Sequence, residues 1–560
     1  MKKIPIGHSD FKNLRQNPDL LYIDKTALIE EFLEDQSMVL LITRPRRFGK
    51  TLNLSTLRYF FDLENAEKNR KLFEGLKISE NAKAMAEQGT RPVVYLTFKD
   101  CKALNWADMQ SMIQEILGSL AETHLNNLPR EKTLAMDAIE AVSQARASYG
   151  QIVNLPLNLC SAYAASGSTP PLILIDEYDV PLQTAWLYGY YEKAISFFRN
   201  FFSAAFKDNP YLWRGVMTGC LRVSKESIFT GLNNLKVTGV SSEDFSTHFG
   251  LTEKEVKSLL LEYGYEDKTQ AVERWYNGYI FGKTVIYNPW SILSFLDQKG
   301  LLKAHWVNTS SNDMVHSLLR TSSIECKKML EDLIAQKTIE IPLLEHSVFD
   351  LIASDTNNLW NFLYFTGYLK AESIVYPEDG KPKARFKIPN REVLTIFKDS
   401  ITYWFQESQG YETLKNLHTA LKNGDGEEFS DLFEKLVSNS LSYFDVGGEE
   451  PEQFYHAFTL GLIVNLSDAW HIRSNREAGT GRCDILMIPK NSDHFGVVME
   501  LKTHKPQREK DLSDTAQKAM DQIEKKGYVK ELLHQGCQKV MKIGIGFLGK
   551  RLEILSSTVS

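Results

Sequence analysis

The sequence has none of the features that direct a chain to a membrane or to an oxidising compartment. Its six cysteines are scattered over 560 residues without a C-x-x-C pair, which argues against a zinc ribbon or a disulfide framework and indicates a reducing compartment. The N-terminal MKKIPIGHSDF lacks the apolar core of a signal peptide, and no stretch reaches the roughly 18 apolar residues of a spanning helix. We therefore expect a cytoplasmic protein with no membrane partner.

A strong excess of charge of one sign is also missing. The formal net charge is −6, so any contact with nucleic acid must come from a local basic surface. A composition with 43% hydrophobic and 24% charged residues is typical of a folded soluble protein rather than a disordered or fibrous one. The length predicts roughly three or four domains.

One glycine is absent from a motif near the N-terminus that is otherwise complete. Val39 to Leu54 reads VLLITRPRRFGKTLNL, which predicts a buried strand, a phosphate-binding loop and a helix start. In such a loop backbone N–H groups hold the phosphates, Lys50 neutralises their charge and the Thr51 hydroxyl binds Mg²⁺. Arg44 stands where the first glycine is expected, so a strand followed by a basic turn stays open as an alternative. The predicted nucleotide-binding residues of this loop are Arg46, Arg47, Phe48, Gly49, Lys50, Thr51 and Leu52.

A second apolar run ends in acids, as the partner strand of a phosphate-binding loop does. Residues 171–179 read PLILIDEYD, in which Asp176 is the candidate for holding Mg²⁺ and Glu177 the candidate for orienting the hydrolytic water. A later strand predicted at residues 213–217 ends at Thr218, and Arg222 follows closely; both are candidate γ-phosphate sensors. A helix cap and a solvated arginine explain these two residues nearly as well. Strands alternating with helices predict a parallel sheet with its ligand at the carboxyl ends of the strands.

The middle of the chain predicts smaller modules. LTEKEVKSLLLEYG is a helix with Thr252 as its cap, and closely spaced aromatic and glycine residues after it indicate a small lid. Helices followed by two strands near residues 373–376 and 384–388 predict a winged-helix-like module. Such modules bind DNA or other protein domains, and the sequence does not decide between them.

A second chemical centre lies near the C-terminus. Asp484 is followed after fifteen residues by Glu500-Leu501-Lys502, and two antiparallel strands joined by a turn would let Asp484 and Glu500 converge on one cation. The alternation of side chains along a strand puts Lys502 on the same face as Glu500. Two carboxylates bind a hard cation such as Mg²⁺, with Mn²⁺ as an alternative ion, and the cation activates water while the lysine positions the nucleophile. A hairpin with solvated charges is the alternative reading.

Positive charge is concentrated around this centre. A basic run is usually a solvated face, but beside a metal site it could take a phosphate backbone. The residues concerned are Lys502, Lys505, Arg508, Lys510, Lys518, Lys525, Lys526 and Lys530.

The first 310 residues resemble a known family. The segments PIGHSDF, YIDKT, ITRPRRFGKT, LILIDEYD, TGCLRVSKESIFTGLNN and WYNGYIFG are similar to those of the AAA-ATPase-like family of bacteria and archaea. Members of that family also carry arginines in the early loop, so Arg44 is a family trait, and Arg44, Arg46 and Arg47 become candidate phosphate or interface contacts. The resemblance also implies a helical lid behind the ATPase core.

The C-terminal centre resembles the PD-(D/E)XK nuclease superfamily, in the form that follows an AAA-ATPase-like domain. The resemblance implies that Asp484, Glu500 and Lys502 are the catalytic core, Glu452 an additional metal contact and Gln522 an accessory group. Cys483 stands where the superfamily usually has proline, which the wider superfamily tolerates.

These observations predict a multidomain α/β protein. We expect a P-loop ATPase core over residues 1–240, a helical lid over 241–310, a winged-helix-like region over 311–430 and a nuclease-like domain over 431–560. The expected function is an ATP-dependent or ATP-regulated Mg²⁺-dependent nuclease acting on nucleic acid, with DNA the first choice, and the domain pairing implies a role in defence against phage or plasmids. The alternative is a STAND-like switch or scaffold that assembles as a homo-oligomer with ATP and binds nucleic acid or a protein without cleaving.

Overall fold

The structure is a computed structural model of the whole chain. It describes residues 1–128, 133–207, 209–222, 228–229, 232, 234–306, 324–334, 336–344, 355–378, 380–406, 411–440, 459, 462–463, 466, 469–478, 481–504, 509–548 and 551–559. The chain forms two compact units, the first comprising Met1–Trp306 with Glu340–Glu392 and the second Val307–Ile339 with Val393–Ser560. In the described parts of the chain, no helix is both long and apolar enough to cross a membrane.

The core of the first unit is a five-stranded parallel sheet. Its strands are β1 (Val39–Thr43), β2 (Val93–Thr97), β3 (Leu172–Asp176), β4 (Arg214–Gly219) and β5 (Leu235–Thr238). They lie in the order β2-β3-β4-β1-β5, and all neighbouring pairs are parallel. β1, β3 and β4 are buried throughout, as expected for strands covered on both faces. The predicted parallel α/β fold is therefore confirmed.

Helices cover this sheet. They are α1 (Phe11–Gln16), α2 (Ala27–Glu34), α3 (Lys50–Phe61), α4 (Ala66–Arg70), α5 (Ala82–Ala86), α6 (Trp106–Leu125), α7 (Leu134–Ser143), α8 (Tyr149–Val153), α9 (Leu155–Ala165), α10 (Val180–Leu187) and α11 (Tyr191–Phe206). Because β4 lies between β1 and β3, the polar ends of the three strands meet at one edge of the sheet. That edge is where a ligand binds in an open parallel sheet.

The region predicted as a helical lid contains both helices and strands. Its helices are α12 (Glu253–Glu262), α13 (Thr269–Tyr276) and α14 (Pro289–Asp297), and its strands are β6 (Leu251–Thr252), β7 (Tyr279–Phe281) and β8 (Thr284–Tyr287). The strands form an antiparallel sheet in the order β6-β8-β7. The predicted cap of α12 is present, since Thr252 and Glu255 form a reciprocal capping box.

A second small sheet belongs largely to the first unit. β9 (Ile339–Pro342), β10 (Lys370–Val375) and β11 (Lys383–Lys387) lie in the order β10-β11-β9, with α16 (Thr356–Thr366) preceding the hairpin. The two predicted strands correspond to β10 and β11. α16 is buried from Asn358 to Thr366, so this helix does not offer the exposed face that a winged-helix module places in a DNA groove.

The second unit contains a mixed five-stranded sheet. β12 (Trp470–Ala478), β13 (Gly481–Pro489), β14 (Gly496–Thr503), β15 (Val540–Leu548) and β16 (Arg551–Val559) lie in chain order. β14 and β15 are parallel, and the other neighbouring pairs are antiparallel. The crossover between β14 and β15 contains α20 (Leu512–Lys526) and α21 (Tyr528–His534). Four further helices are described in this unit. They are α15 (Ile324–Ile334), α17 (Arg391–Gln406, of which the first two residues belong to the first unit), α18 (Tyr411–Asn423) and α19 (Gly426–Ser440).

One buried carboxylate in the first unit has a raised pKa. Glu392 is fully buried and accepts hydrogen bonds from the Ser291 hydroxyl at 2.6 Å and from the backbone N–H groups of His305 and Trp306 at 2.7 and 2.9 Å. Burial raises the pKa of Glu392 from 4.5 to about 7, because removal from water penalises the charged form more than these donors stabilise it.

This raised pKa predicts that the folded unit loses stability as the pH rises. The folded state binds the proton more tightly than the unfolded state, so the contribution is complete below pH 4.5 and is lost as the pH passes through about 7. We expect about 3 kcal/mol of unfolding free energy to disappear over that window. Urea unfolding of the wild type and of Glu392→Gln across this range checks it. The glutamine keeps an acceptor and should flatten the profile, so an equally steep profile in the variant would contradict the assignment.

Candidate nucleotide and nuclease sites

The turn after β1 is shaped by a left-handed glycine. Gly49 has φ +81° and caps α3, and nothing lies within 4 Å of the position a Cβ would take. The side chain of Lys50, which begins α3, is nearly fully buried and its ammonium donates to the carbonyl oxygens of Arg44 at 3.0 Å and Pro45 at 2.9 Å. The loop therefore places a cation and a helix N-terminus at the same point, a combination that suits phosphate.

Three polar side chains meet beside this loop. The Thr51 hydroxyl donates to one carboxylate oxygen of Asp176 at 2.7 Å, and the Thr218 hydroxyl donates to the other at 2.5 Å. Strand register explains the contact, because Ile175 pairs with Met217 and so Asp176 lies beside Thr218. The structure thus brings together three residues that the sequence analysis selected from segments far apart.

Glu177 follows Asp176 in an unusual conformation. Its φ is +51°, in the left-handed region that residues with a Cβ seldom adopt. Burial raises the pKa of Glu177, although the charge of Lys50 opposes the effect. Strained backbone and a raised pKa at the end of a central strand are features of functional sites, which supports a role for this carboxylate.

A buried network that the sequence analysis did not identify holds the loop arginine. Asp179 is buried and one of its oxygens accepts from the backbone N–H groups of Cys220 and Leu221, both at 2.9 Å, and from the Gln183 amide at 2.8 Å. The Gln183 oxygen in turn accepts from the Arg46 guanidinium at 2.9 Å. The spacing of four between Asp179, the N-cap of α10, and Gln183 within that helix was the available signal. Arg46 is therefore connected to the chain that follows Thr218.

Arg44 does not have the role that the sequence analysis gave it as a phosphate or interface contact. Its side chain is fully buried, and the guanidinium donates to the carbonyl oxygens of Thr43, Thr238, Gly239 and Asp244 at 2.8 to 3.0 Å. Burial lowers the pKa of Arg44 to about 9. Arg44 therefore connects the loop to the segment after β5. Its hydrogen bonds fix the conformation of the loop, whereas a glycine at this position would leave the backbone flexible.

Replacing Arg44 should destabilise the first unit. Arg44→Met keeps an apolar stem but leaves buried carbonyl groups without their donor, for which we expect a loss of about 2–4 kcal/mol in unfolding free energy. Arg70→Met is the control, because Arg70 is exposed and should change stability by less than about 0.5 kcal/mol. Chemical denaturation measures both; equal midpoints would show that the Arg44 contacts do not stabilise the fold.

The other selected residues around the loop have different surroundings. Phe48 is fully buried with its ring 5.0 Å from that of Tyr279 and 5.1 Å from that of Phe281, so only its backbone can serve a nucleotide. Arg47 is exposed and its guanidinium lies 4.2 Å from the ring centre of Trp290. Leu52 and Arg222 are both partly buried. Their part in nucleotide binding stays a prediction.

The residues present fit ATP with Mg²⁺. An open turn at Gly49, a buried ammonium and a helix N-terminus form an anion site, while a hydroxyl and a carboxylate in direct contact are the oxygen donors that Mg²⁺ prefers. Lys50 would neutralise phosphate charge, and Thr51 and Asp176 would hold the ion.

The second candidate site lies where β13 and β14 diverge. The antiparallel register pairs Ile485 with Met499, so its continuation sets Asp484 opposite Glu500. At that point one Asp484 carboxylate oxygen accepts from the backbone N–H of Leu501 at 2.8 Å. The two carboxylates thus come from neighbouring strands, as the sequence analysis expected.

Glu500 is surrounded by the other two predicted groups. It is almost fully buried, its carboxylate accepts from the Gln522 side-chain amide, and the Lys502 ammonium lies 3.7 Å from the same oxygen. Lys502 is partly exposed, with a quarter of its side chain accessible. The same carboxylate oxygen of Glu500 therefore has an amide donor and a cation beside it, and the carboxylate is the form of the side chain that binds a metal.

Two glycines in β15 bring Gln522 to this position. A Cβ at Gly544 would lie 2.8 Å from the carbonyl oxygen of Ala516, and one at Gly546 would lie 2.9 Å from the backbone nitrogen of Ala516. α20 therefore rests directly on β15. Tyr528, fully buried at the start of α21, contacts Gln522 through its hydroxyl, and burial raises the pKa of this tyrosine to about 12.

The carboxylate pair fits Mg²⁺, with Mn²⁺ as an alternative. Mg²⁺ is usually held by one or two carboxylates and keeps several waters, so a large ligand cluster is not needed. Within the described ranges no group of three or more His, Cys, Asp or Glu residues gathers as a metal site. Glu452, predicted as a further metal contact, lies outside the described residues, as do Lys505 and Arg508. Asp484 and Glu500 would hold the ion.

The predicted basic surface near this site is partly neutralised. Lys518 lies 3.6 Å from Glu509 and 3.3 Å from Asp514. Lys525 and Lys530 are exposed on the two crossover helices. A contact of these lysines with a phosphate backbone stays a prediction.

Comparisons with known proteins match the two regions of the chain that contain the candidate sites. A family model described as a predicted AAA-ATPase matches residues 5–229, and a model of the PD-(D/E)XK nuclease superfamily matches residues 450–557. Over 482 residues the chain is 27% identical to a protein of Azotobacter chroococcum mcd 1 described as "Uncharacterized protein in vnfD 5'region"; the match covers 84% of this chain and 85% of the relative. No solved structure matches the chain significantly.

Proposed function

Since the chain joins an AAA-ATPase-like region to a C-terminal region of the PD-(D/E)XK nuclease superfamily, we propose that it hydrolyses ATP and that its nucleotide site controls a Mg²⁺-dependent nuclease. The observation that carries the nuclease assignment is the meeting of Glu500, Lys502 and Gln522 beside Asp484. Nucleic acid is the substrate, with DNA the first expectation.

The residues of the nuclease site have separate roles in phosphodiester hydrolysis. A water oxygen attacks phosphorus and releases one proton to solvent, the bond from phosphorus to the leaving sugar oxygen breaks, and that oxygen takes up a proton from solvent. When bound, Mg²⁺ supplies Lewis acidity that favours both events. Lys502 orients the attacking water and offsets negative charge that develops at phosphorus, while Gln522 holds Glu500 in place.

The residues of the nucleotide site likewise have separate roles in ATP hydrolysis. Lys50 and the backbone N–H groups of the loop bind phosphate, and Thr218 keeps the Asp176 carboxylate oriented. Glu177 orients the hydrolytic water, a role that its partly buried position directly after β3 permits and that its raised pKa suits. Arg46 and Arg222 remain proposed phosphate contacts.

Nuclease assays test the controlling relationship. Purified protein is incubated with plasmid and linear DNA, with Mg²⁺ or Mn²⁺, and with no nucleotide, ATP or a non-hydrolysable analogue. Control by ATP predicts that Lys50→Ala and wild type cut differently when ATP is present and alike when it is absent. Identical cleavage by the two proteins under all conditions would show that the nucleotide site does not control the nuclease.

Metal binding distinguishes this function from a STAND-like switch that binds without cutting. Calorimetric titration of Mn²⁺ into Asp484→Asn and Glu500→Gln should show binding lost relative to the wild type. No binding at these carboxylates in the wild type would favour the switch, and mass photometry with and without ATP would then test assembly of a homo-oligomer.

We propose in addition a role in defence against phage or plasmids, which the pairing of the two domains supports. Cells that express the wild type should restrict phage plating or plasmid establishment, whereas cells that express Lys502→Ala should not. Equal phage plating and plasmid establishment in the two kinds of cell would contradict the defence role. The proposed ATPase and nuclease activities would not be affected by that result.

A further inference from the structure

The hairpin β10–β11 carries a row of cations on its outer face. Ala384 and Phe386 of β11 are fully buried, so the alternating Lys383, Arg385 and Lys387 point to the other side. The side chains of Lys383 and Arg385 are more than half exposed. β10 contributes Lys370, a fourth cation, at the edge of the sheet.

Two of these cations are placed where they repel each other. Lys370 and Lys387 are directly opposite in the antiparallel register, an arrangement that destabilises a pair of strands. Burial and, after it, the charge of Lys387 lower the pKa of Lys370. A like-charged pair of partly buried side chains costs stability in the free protein and becomes favourable when an anion lies over it.

Acids on the same sheet do not neutralise the face. Glu372 lies 3.9 Å from Arg385 and Glu340 lies 3.8 Å from Lys383, both near the limit of an ion pair and between exposed side chains. Such pairs contribute little and are screened by salt. In the three strands β9, β10 and β11, four cations therefore stand against two acids.

The helix before the hairpin limits what the face can recognise. α16 is buried from Asn358 to Thr366 and cannot enter a groove to contact base edges. What remains exposed in this module is suited to phosphates, whose contacts position a protein without reading sequence.

We propose that the outer face of the β10–β11 hairpin, formed by Lys370, Lys383, Arg385 and Lys387, binds the phosphate backbone of nucleic acid without base specificity. The inference rests on the proposed nuclease function and deepens it. It assigns a nucleic-acid contact to the unit that contains the nucleotide loop.

Fluorescence anisotropy with labelled DNA and RNA duplexes of mixed sequence tests this. The full chain carries Lys502→Ala and the buffer contains EDTA, so cleavage cannot distort the readout. The triple variant Lys383→Ala, Arg385→Ala, Lys387→Ala should bind at least about tenfold more weakly, and its slope of log affinity against log salt should fall by up to about 3. The control triple Lys68→Ala, Lys83→Ala, Lys193→Ala removes the same charge from exposed positions elsewhere in the unit and should keep the wild-type slope.

A single variant separates binding from folding. Lys387→Glu converts the repelling pair with Lys370 into an attractive one, so we expect a higher midpoint of thermal unfolding together with weaker binding. A purely structural role would lower the midpoint instead. Equal affinity and salt slope for the hairpin and control triples, or no binding of either duplex by the wild type, would overturn the proposal. Loss of cleavage in Lys502→Ala is measured separately and judges the nuclease site alone.

Discussion

Lys502→Ala is expected to lower the rate of DNA cleavage by about 10²- to 10⁴-fold, the range typical of a positioned group that acts in proton transfer or water orientation. Lys502 is the one cation that the structure shows against the Glu500 carboxylate, at 3.7 Å, among the described residues. Its removal leaves Asp484 and Glu500 in place, so Mn²⁺ binding by calorimetry should persist while cleavage in a plasmid assay is lost.

The matched control for this variant is Lys539→Ala. Lys539 is exposed in the same unit and immediately precedes β15, whereas Lys502 pairs with Gly546 near the far end of that strand. The control should cleave at the wild-type rate. Full cleavage by Lys502→Ala would show that the site is assigned wrongly, and loss of Mn²⁺ binding by this variant would move Lys502 from water orientation to support of the metal ligands.

Glu177→Gln is expected to bind ATP with little change and to hydrolyse it about 10²- to 10⁴-fold more slowly, because the amide occupies the same space but cannot accept a proton. The rate of ATP hydrolysis by the wild type should also depend on pH. Burial raises the pKa of Glu177, so wild-type turnover should increase as the pH rises through that pKa and the carboxylate forms. The variant should lack this rising limb.

Phosphate release and nucleotide-binding assays on the same samples check the prediction. Glu192→Gln, an exposed position on α11, is the control and should match the wild type in both assays. Lys50→Ala should instead lose ATP binding, since Lys50 supplies the buried cation of the loop. Unchanged turnover in Glu177→Gln would remove the proposed water-orienting role and leave the binding role of the loop untouched.

Local patterns were sufficient for the elements that carry both sites. The strands ending at Thr43, Asp176 and Gly219 are buried on both faces, so each appears in the sequence as an apolar run followed by polar residues. The spacing from Asp484 to Glu500 predicts a hairpin because alternation and turn composition are local properties. The small sheet beside α12, by contrast, has strands of only two to four residues, which are too short to give a period.

The contacts of Arg44 could not be predicted from the sequence. As a residue in a basic turn it suggests a phosphate contact, yet three of its four carbonyl acceptors lie 194 to 200 residues further along the chain. The same holds for Asp179, whose backbone donors come 41 and 42 residues later. A guanidinium or carboxylate has the same appearance in a sequence whether it is satisfied internally or faces a ligand.

The sequence by itself indicated where the two candidate sites lie, because a phosphate-binding turn and a carboxylate–lysine hairpin are each built from residues close together in the chain. Only the tertiary structure decided which groups act together. The order β2-β3-β4-β1-β5 sets Thr218 against Asp176, and the approach of α20 to Gly544 and Gly546 sets Gln522 against Glu500. Strand order and helix approach result from burying many distant apolar surfaces at once, and no short segment contains that information.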